Sequence, residues 1–387
     1  MPGDSAASLD VLYMSWRDRE NPEAGGAEAF LDRTAEALAE AGHRVTIFTS
    51  GFPGGAADTT HGKARVVRRG GRYTVFARGA LHLLRHGREY DVVVDVQNGV
   101  PFWSPLFTRT TVVNVVHHLH RDQWASFFGP RLARLGWWAE SRLAPCVYRR
   151  CRYVTVSRAT LTELVEHGVD AERAVVIYSG NDQPAEMARY AAMPRSSSPT
   201  LVVVGRLVPH KRIEMAIDIV RDLAGRFPGL TLDVVGDGYW LPQLVEHARD
   251  AGVEDAVRFY GFVDENTKHE LLAESWLGLM PSQKEGWGLT IVEAGLHETP
   301  TVAFRDAGGP SESIIDGETG LLADDYADIR DKTARLLAEH LERNRMGKNA
   351  RAYAESFDWK VSGARFAETI RAAVRQKKEA RRHRRRA

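Results

Sequence analysis

Apolar stretches with the length of β-strands alternate with stretches of helical periodicity along most of the chain, and this alternation limits the folds open to it. In the first half, strands are predicted at 9–16, 92–96, 111–116 and 152–157, and a helix at 27–42. Strands that alternate with helices form parallel sheets, which helices cover on both faces. The first half therefore predicts a doubly wound α/β domain.

A second alternating series begins near residue 200. Its strands are TLVVV, LTLDVV, VRFYG, WLGLM and TPTVAF, and its helices are predicted at 212–225, 240–251, 267–274 and 289–297. The stretch between the two series is rich in proline, serine and small residues, as linkers are. A chain of 387 residues also exceeds one ordinary core. We therefore expect two Rossmann-like domains, at 1–182 and 199–358, joined by a linker at 183–198.

The composition narrows the class of protein. At 43% hydrophobic and 27% charged residues, it is typical of globular chains. No apolar run approaches the roughly 18 to 20 residues that span a bilayer, and the start MPGDSAASLD lacks the layout of a signal peptide. Cys146 and Cys151 are too few for a zinc site, and we predict that both are buried thiols. These features predict a cytoplasmic protein.

Two segments suggest contact with a surface. The tail at 377–387 belongs to the run RQKKEARRHRRRA, which has eight basic residues and one glutamate, although the whole chain has a formal net charge of only +1. The tail is typical either of a solvated terminus or of peripheral contact with an anionic membrane; without aromatic residues for stacking, nucleic acid is not expected. Segment 121–138 interleaves aromatic residues with arginines, and it fits either an amphipathic segment on a membrane or a packed helix with a basic outer face.

Open parallel sheets bind ligands beside the carboxyl ends of their strands, so the loops after the strands of the second series carry the functional prediction. After TLVVV, Arg206 and Lys211 stand just before a predicted helix. Two cations beside a helix N-terminus suit a diphosphate, because side-chain charges and backbone N–H dipoles act in the same direction. The alternative is a pair of surface cations on a turn.

Two further loops can accommodate a flat base. Gly236, Asp237 and Gly238 follow LTLDVV, and glycines allow a base to approach the backbone, although the same sequence is common in plain turns. Phe262 and Val263 follow VRFYG, and their backbone can pair with the edge of a base.

The stretch PSQKEGWGLTIVEAG contains two acids, Glu285 and Glu293, eight positions apart. The N–H groups of Gly288, Leu289 and Thr290 open a helix between them, and a helix N-terminus is a natural anion site. Carboxylates can accept hydrogen bonds from sugar hydroxyls. Together with the cationic loop, this stretch predicts a pocket for a sugar joined to a nucleoside diphosphate.

These motifs carry a resemblance to a known family. GRLVPHK, GDG, FYGFV and EGWGLTIVEA, with GGAE, GHRVTIFTS and IYSGND in the first half, resemble the family 4 retaining glycosyltransferases. The resemblance covers nearly the whole chain, and the E-x7-E spacing with its upstream lysine is fairly specific. It implies the GT-B fold, which has two doubly wound Rossmann-like α/β domains with a cleft between them. It also implies that a last helix, at 359–376, crosses back to the first domain.

In the second domain, the resemblance implies a role for each matching residue. Arg206 and Lys211 match a pair that stabilises the departing diphosphate. Glu285 matches an acid that contacts the donor sugar, and Glu293 matches an acid that holds the ribose hydroxyls. One departure is Arg212, which stands where glycine usually follows the lysine. Another is a tryptophan, at position 287, where phenylalanine is common; these changes leave phosphate binding intact but reshape the pocket.

In the first domain, Gly25 and Gly26 match a glycine loop whose backbone approaches the diphosphate and the acceptor. His117, the first residue after TVVNVV, matches an active-site histidine near the donor sugar. His118 and His120 follow it, and strand alternation prevents His117 and His118 from both facing the ligand. We predict that His117 is the active-site residue.

The expected reaction transfers a sugar from a nucleoside diphosphate sugar to an acceptor hydroxyl, with retention of anomeric configuration. The resemblance favours a UDP-sugar as the donor, with a GDP-sugar next. The sequence does not identify the acceptor, for which a lipid-linked molecule and a small molecule are both candidates. No metal or other cofactor is expected, because two cations and a helix N-terminus face the leaving group and the chain has no D-x-D sequence. The alternatives are a nucleotide-sugar epimerase of GT-B fold and a non-catalytic nucleotide-binding protein that docks on a membrane.

Overall fold

The structure, a computed structural model, describes residues 8–386 and divides into two compact units. The first unit runs to Tyr178 and resumes at Trp359, whereas the second extends from Ser179 to Asp358. Each unit contains one sheet of parallel or largely parallel strands. The predicted doubly wound α/β fold class is confirmed.

The sheet of the first unit has eight strands. They are β1 (Asp10–Met14), β2 (Arg44–Thr49), β3 (Asp58–His61), β4 (Ala64–Arg68), β5 (Val92–Gln97), β6 (Thr111–Val116), β7 (Arg152–Thr155) and β8 (Ala174–Val176). Their order is β3-β4-β2-β1-β5-β6-β7-β8, and all neighbours are parallel except β3 and β4. The strand order reverses direction between β1 and β5, which is where a doubly wound sheet binds its ligand.

Seven helices of the first unit connect these strands. They are α1 (Gly26–Glu40), α2 (Val75–His86), α3 (Ser104–Phe107), α4 (Gln123–Phe127), α5 (Pro130–Trp138), α6 (Ala144–Val147) and α7 (Arg158–Glu166). A π-helical turn at Ala139–Leu143 joins α5 to α6. Side chains of α2, α6 and α7, such as Leu83, Ala144 and Leu164, share one hydrophobic core, so these helices cover the same face of the sheet.

The second unit has a six-stranded sheet, whose neighbouring strands are all parallel. Its strands are β9 (Thr200–Val204), β10 (Thr231–Val235), β11 (Val257–Gly261), β12 (Leu277–Met280), β13 (Thr301–Phe304) and β14 (Gly320–Ala323), in the order β11-β10-β9-β12-β13-β14. Its helices are α8 (Met187–Ala191), α9 (Ile213–Leu223), α10 (Leu241–Asp250), α11 (Glu265–Glu274), α12 (Leu289–Leu296), α13 (Pro310–Ser313), α14 (Tyr326–Ala338) and α15 (His340–Ala354). Helix α9 buries Ile213, Ala216, Ile217 and Val220, a spacing that places one apolar stripe on the sheet.

The segment at 183–198, which its composition marks as a linker, is packed into the second unit. Tyr190 on α8 is buried. The guanidinium of Arg195 donates hydrogen bonds to four backbone carbonyls and to the hydroxyl of Thr299. Proline and serine content marks irregular backbone, but it does not report the tertiary contacts that this segment makes.

The last helix, α16 (Trp359–Arg386), belongs to the first unit and packs along α1. Phe366 is fully buried and stacks on Tyr13, with ring centroids 6.1 Å apart. A Cβ atom on Gly363 would lie 2.4 Å from the Cβ of Ala37, so glycine allows the two helices to approach closely. The predicted helix at 359–376 thus lies in the first unit, and the described part of the basic tail continues the same helix.

Two properties of the composition can be compared with the structure. Cys151 is buried, as expected, but Cys146 is exposed, so the prediction of two buried thiols is wrong for Cys146. Cys146 lies on the outer side of α6, which an isolated cysteine in the sequence does not reveal. Among the residues that the structure describes, no helix has the length and hydrophobicity to cross a bilayer.

Candidate active site

The strand order of the second unit reverses at β9, which has β10 on one side and β12 on the other. Backbone hydrogen bonds join the loops that follow these strands. The N–H of Gln283 donates to His210 O over 2.8 Å, and the N–H of Leu207 donates to Asp237 O over 2.9 Å. The predicted sugar-nucleotide loops therefore form one connected edge of the sheet.

Arg206 supplies an uncompensated cation at this edge. It follows β9, is half-buried, and within the described residues its guanidinium has no hydrogen-bond or ion-pair partner. The next two residues, Leu207 and Val208, are buried and hold the loop against the core. A half-buried guanidinium without a carboxylate is available to bind an anion.

Lys211, in the same loop, is paired with Glu285 from the loop after β12. Lys211 Nζ lies 2.6 Å from Glu285 Oε1, and both side chains are less than one-fifth exposed. Burial opposes ionisation of Glu285, but the adjacent charge of Lys211 outweighs it and holds the pKa of Glu285 below its usual value. Glu285 is also fixed through its backbone, since its N–H donates to Ala307 O and its carbonyl accepts from the N–H of Gly309. The arrangement keeps a carboxylate and an ammonium at the switch point.

Glu293, on α12, is paired with a lysine that the sequence analysis missed. Lys268, on α11, places Nζ 2.9 Å from Glu293 Oε1 and 2.8 Å from Glu265 Oε2. Burial raises the pKa of Glu293, with Lys268 opposing the shift. Burial lowers the pKa of Lys268, but the charges of Glu293 and Glu265 outweigh it and leave that pKa raised. No spacing within NTKHELL signals a partner that lies 25 positions further along the chain.

The N-terminus of α12 has the backbone of an anion site. Gly288 precedes the helix with φ +95°, and a Cβ there would lie 2.8 Å from Ile291 Cδ1, so the position requires glycine. Leu289 and Thr290 occupy the first turn, whose N–H groups have no acceptor within the helix. Ser313 Oγ, buried without a hydrogen-bond partner in the described residues, lies beside Gly288. The structure thus brings the predicted helix N-terminus to the same edge as Glu285.

The glycines of the loop after β10 have a packing role. A Cβ on Gly236 would lie 2.0 Å from Gly205 O, and a Cβ on Gly238 would lie 2.2 Å from Leu207 O. Glycine is therefore required where this loop crosses the loop after β9. Between them, Asp237 accepts a hydrogen bond from Gly238 N. Contact of these residues with a base stays a prediction.

The loop after β11 exposes an aromatic ring. Phe262 is 88% exposed, whereas the neighbouring Val263 packs against a small core that includes Val235 and Leu272. The N–H of Gly236 donates to Gly261 O, so this loop joins the same edge. Pairing of the backbone at Phe262 and Val263 with a base stays a prediction.

The two departures from the family pattern have distinct structural consequences. Arg212 has φ 50° and ψ 41°, the left-handed conformation that glycine adopts without strain, which explains why glycine is usual there. Its guanidinium lies 6.0 Å from the ring centroid of Phe304. Trp287 is buried and packs edge-on against Phe357, with centroids 5.0 Å apart. Its indole therefore fills the core of the second unit.

In the first unit, the predicted glycine loop begins α1. Gly25 is the N-cap, and its N–H donates to Glu28 Oε2 over 2.8 Å, while Glu28 Oε1 accepts from Arg17 Nε over 3.1 Å. A Cβ on Gly26 would meet nothing within 4 Å. Internal packing thus does not explain Gly26, and the space around it is open to a ligand.

His117 follows β6 and is buried. Its ring packs edge-on against Phe30 of α1, with centroids 5.5 Å apart, and its Nε2 has no hydrogen-bond partner among the described residues. Burial lowers the pKa of His117 to about 4, and the nearby His120 acts in the same direction. His117 is therefore a neutral imidazole near pH 7.

The two following histidines are held by hydrogen bonds. His120 Nδ1 lies 2.8 Å from Glu140 Oε1, and its Nε2 lies 2.9 Å from Asn98 Oδ1. His118 Nε2 lies 3.3 Å from Gln123 Oε1. Both side chains are half-buried, and their hydrogen bonds fit a structural role.

Among the described residues, one group has the composition of a metal site. Asp18, Glu20 and His61, in the first unit, place one potential ligand atom each within 4.8 Å of the others. Arg68 already lies among them, with Nε 2.7 Å from Asp18 and Nη2 2.7 Å from Glu20. A guanidinium therefore already pairs with both acids, and the group lies outside the predicted sugar-nucleotide loops of the second unit.

Two known families match successive parts of the chain. The family described as Glycosyltransferase Family 4 matches residues 24–183, and the family described as Glycosyl transferases group 1 matches residues 191–353. Together these two regions contain all of the predicted site residues.

Individual proteins are similar over longer regions. The glycogen synthase of Mycobacterium tuberculosis is 27% identical over 96% of this chain and 96% of its own. The GDP-mannose-dependent alpha-(1-6)-phosphatidylinositol monomannoside mannosyltransferase of Mycolicibacterium smegmatis is 30% identical over 69% of this chain and 72% of its own. Among solved structures, Anabaena HepE in complex with UDP and glucose superposes with a TM-score of 0.73, at 20% identity, over 94% of this chain and all of HepE. This structural likeness confirms the GT-B fold.

Proposed function

The chain belongs to the family 4 glycosyltransferases, and we propose that it transfers a sugar from a UDP-sugar to an acceptor hydroxyl with retention of anomeric configuration. The observation that carries the proposal is Arg206, which has no partner among the described residues and lies in the same loop as Lys211 of the Lys211–Glu285 pair, at the switch point of the second sheet. This is a site with an excess of positive charge and with one carboxylate held ready for hydroxyl groups.

The reaction needs charge stabilisation at the leaving group. When the bond between the anomeric carbon and the phosphate oxygen breaks, its electron pair stays on the diphosphate. Arg206, Lys211 and the first N–H groups of α12 supply positive charge and dipoles for that oxygen. We propose that these groups act without a divalent cation.

The acceptor forms the new bond on the face that the diphosphate leaves. Its oxygen attaches to the anomeric carbon, and its proton passes to an oxygen of the departing diphosphate, so that no protein base is needed. Glu285 accepts hydrogen bonds from the hydroxyls of the donor sugar, and Glu293 accepts them from the ribose. The lowered pKa of Glu285 supports this role, because only a carboxylate can accept with both oxygens.

The nucleobase has two candidates. UDP is favoured because the structurally similar HepE binds UDP and glucose. GDP is the second candidate, because the relative of 30% identity is a GDP-mannose-dependent enzyme. The connected loops after β10 and β11 are the region where the base would be distinguished.

A turnover assay tests the proposal. The protein is incubated with a panel of UDP-sugars and GDP-sugars in the presence of EDTA, with and without simple sugar acceptors, and the released nucleotide is measured. We expect one nucleotide class to be consumed at a rate that EDTA does not change. Nuclear magnetic resonance of the first product formed should find the anomeric configuration of the donor. An inverted product, or turnover that depends on an added divalent cation, would contradict the proposed mechanism.

A further inference from the structure

The outer face of the helical segment at 130–147, in the first unit, exposes large apolar side chains. Leu132, Leu135 and Trp138 on α5 are 59%, 58% and 51% exposed. The inner face of the same segment is packed, since Ala133, Gly136 and Ala144 are buried. The helix is therefore anchored in the domain and still presents an apolar ridge outward.

The charge on this ridge has a single sign. Arg131, Arg134 and Arg142 are exposed on the segment, and Arg149 and Arg150 are exposed just beyond it. The one acid within 130–150 is buried: Glu140 accepts hydrogen bonds from the indole of Trp124 and from His120. The exposed face of 130–150 consequently carries arginines and apolar residues and no carboxylate.

A second helix on the same face of the sheet repeats the pattern. Helix α2 shares the hydrophobic core of α6, and it exposes Leu84 at 64% beside the exposed Arg85. The stretch 75–88 contains no acidic residue. The adjacent α3 exposes Leu106 at 62%. Helix α2 and the segment 130–150 are thus both cationic, and both expose apolar side chains.

From these observations, we propose that the ridge formed by Arg131, Leu132, Arg134, Leu135 and Trp138 docks on the surface of an anionic lipid bilayer. Leucine and tryptophan side chains enter the boundary between headgroups and acyl chains, while arginines bind the lipid phosphates. Charge complementarity selects anionic lipid as the occupant. A nucleic acid would gain nothing from the two exposed leucines, because bases stack on aromatic rings.

The proposal goes beyond the transfer reaction and differs from a contact made by the basic tail. Helix α16, which carries the tail, packs on α1, whereas the ridge belongs to the layer of α2 and α6. The sequence left open whether 121–138 is a packed helix or a membrane segment. The two alternatives are compatible in α5, because its inner face is packed and its exposed side chains form the ridge that we propose faces the membrane.

The natural chain offers a probe beside the ridge. Cys146 is exposed eight residues after Trp138, whereas Cys151 is buried and its burial raises the pKa of the Cys151 thiol to about 12. A maleimide dye sensitive to polarity will therefore label Cys146 selectively. We expect its emission to shift to shorter wavelength with vesicles of phosphatidylglycerol and phosphatidylcholine, and not with phosphatidylcholine alone.

Sedimentation with the same vesicles measures the affinity. Changing Leu132, Leu135 and Trp138 together to serine should weaken binding by about tenfold or more, because the apolar contact is lost. Arg134→Gln should weaken binding by about fivefold, and added salt should weaken it further. The matched control is Leu341→Ser in the second unit, which removes a leucine that is 74% exposed beside the acidic Glu342 and should not change binding.

A tail variant separates the two cationic regions. In it, Arg381, Arg382, Arg384, Arg385 and Arg386 are changed to glutamine. Retained affinity in the serine variant, loss of binding confined to the tail variant, or bound protein without a dye shift would each overturn the proposal. Equal binding to neutral vesicles would also overturn it. Because the readout is binding, these results are independent of whether the transfer reaction is correctly assigned, and equal melting temperatures would show that the variants are folded.

Discussion

The two units carry sheets of the same kind, but the loops at their carboxyl edges differ in charge. In the second unit, Arg206 has no partner within the part of the chain that the structure describes, and Lys211 Nζ lies 2.6 Å from Glu285 Oε1. In the first unit, His117 is a buried neutral imidazole, and the acid beside the glycine loop, Glu28, is neutralised by Arg17. Of these groups, the cation without a described partner therefore lies in the unit to which we assign the diphosphate. A fold that is used twice in one chain has two edges with different chemistry.

The strongest test of this difference removes the unpaired cation. Arg206→Ala should lower kcat/KM by about a hundredfold to a thousandfold, because it removes a group that stabilises charge on the leaving diphosphate. The melting temperature without ligand should hardly change, since Arg206 has no partner to lose among the described residues. Arg226→Ala, on the exposed surface of the same unit, is the control. Equal kinetics in both variants would remove Arg206 from the site.

Lowering the pH tests the neutral state of the buried His117 in the first unit. The folded pKa of His117 is about 4, below its unfolded value, so the unfolded chain binds more protons between these values. The contribution of His117 to stability is complete above about pH 6.5 and should be lost as the pH falls, by about 3 kcal/mol near pH 4. His117→Gln should lose correspondingly less free energy of unfolding between pH 7 and 4. His340→Gln, at an exposed position of the second unit, is the control. If the free energy of unfolding of the His117 variant changed with pH as it does in the natural protein, the assignment of a buried neutral imidazole would be contradicted.

The Lys268–Glu293 pair, on α11 and α12, gives a further test of the charged edge. Lys268→Met leaves Glu293 without its cation, and burial then disfavours the carboxylate further. We expect the KM for the donor to rise about tenfold while kcat is largely kept, because ribose contacts bind the ground state and the transition state alike. Lys348→Met, at an exposed position, is the control. A fall in kcat at unchanged KM would place Lys268 closer to the reaction itself.

The smallest effect concerns backbone strain in the cationic loop. Arg212 adopts a left-handed conformation that costs a residue with a side chain about 1 kcal/mol or more. Arg212→Gly should therefore raise the free energy of unfolding by about 1 kcal/mol, reduced by the lost contact with Phe304. Arg212→Ala keeps the strain and should give no gain. Denaturant unfolding distinguishes these outcomes, and a stabilised alanine variant would contradict the explanation.

Sequence periodicity was sufficient for the elements that carry the site. The predicted strand at 111–116 and the helix at 289–297 match β6 and α12 to within one residue. Both have strong local signals, a valine-rich run that only Asn114 interrupts and a glycine before a helical repeat. The pairing of Glu285 with Lys211 joins residues 74 positions apart, so its geometry came only from the structure.

Other features had no local signal or a misleading one. The contact of Gly236 and Gly238 with a base stays a prediction, and the structure adds a packing role that the sequence does not signal, because the backbone of a neighbouring loop lies at close range. Segment 183–198 has the composition of a linker and the contacts of a packed element. In both cases the missing information is tertiary, because a residue's spatial neighbours are not encoded in its sequence neighbours.

The central claim is that the second unit binds a nucleoside diphosphate through Arg206. Its most direct test is the melting temperature of the natural protein and of Arg206→Ala, each measured with UDP and with GDP. A ligand that binds only the native state at 100 times its Kd stabilises it by about 2.7 kcal/mol. We predict a rise of several degrees with one nucleotide in the natural protein and a much smaller rise in the variant. An equal rise in both proteins would contradict the claim that Arg206 holds the diphosphate, and no rise with either nucleotide would contradict the proposed donor site.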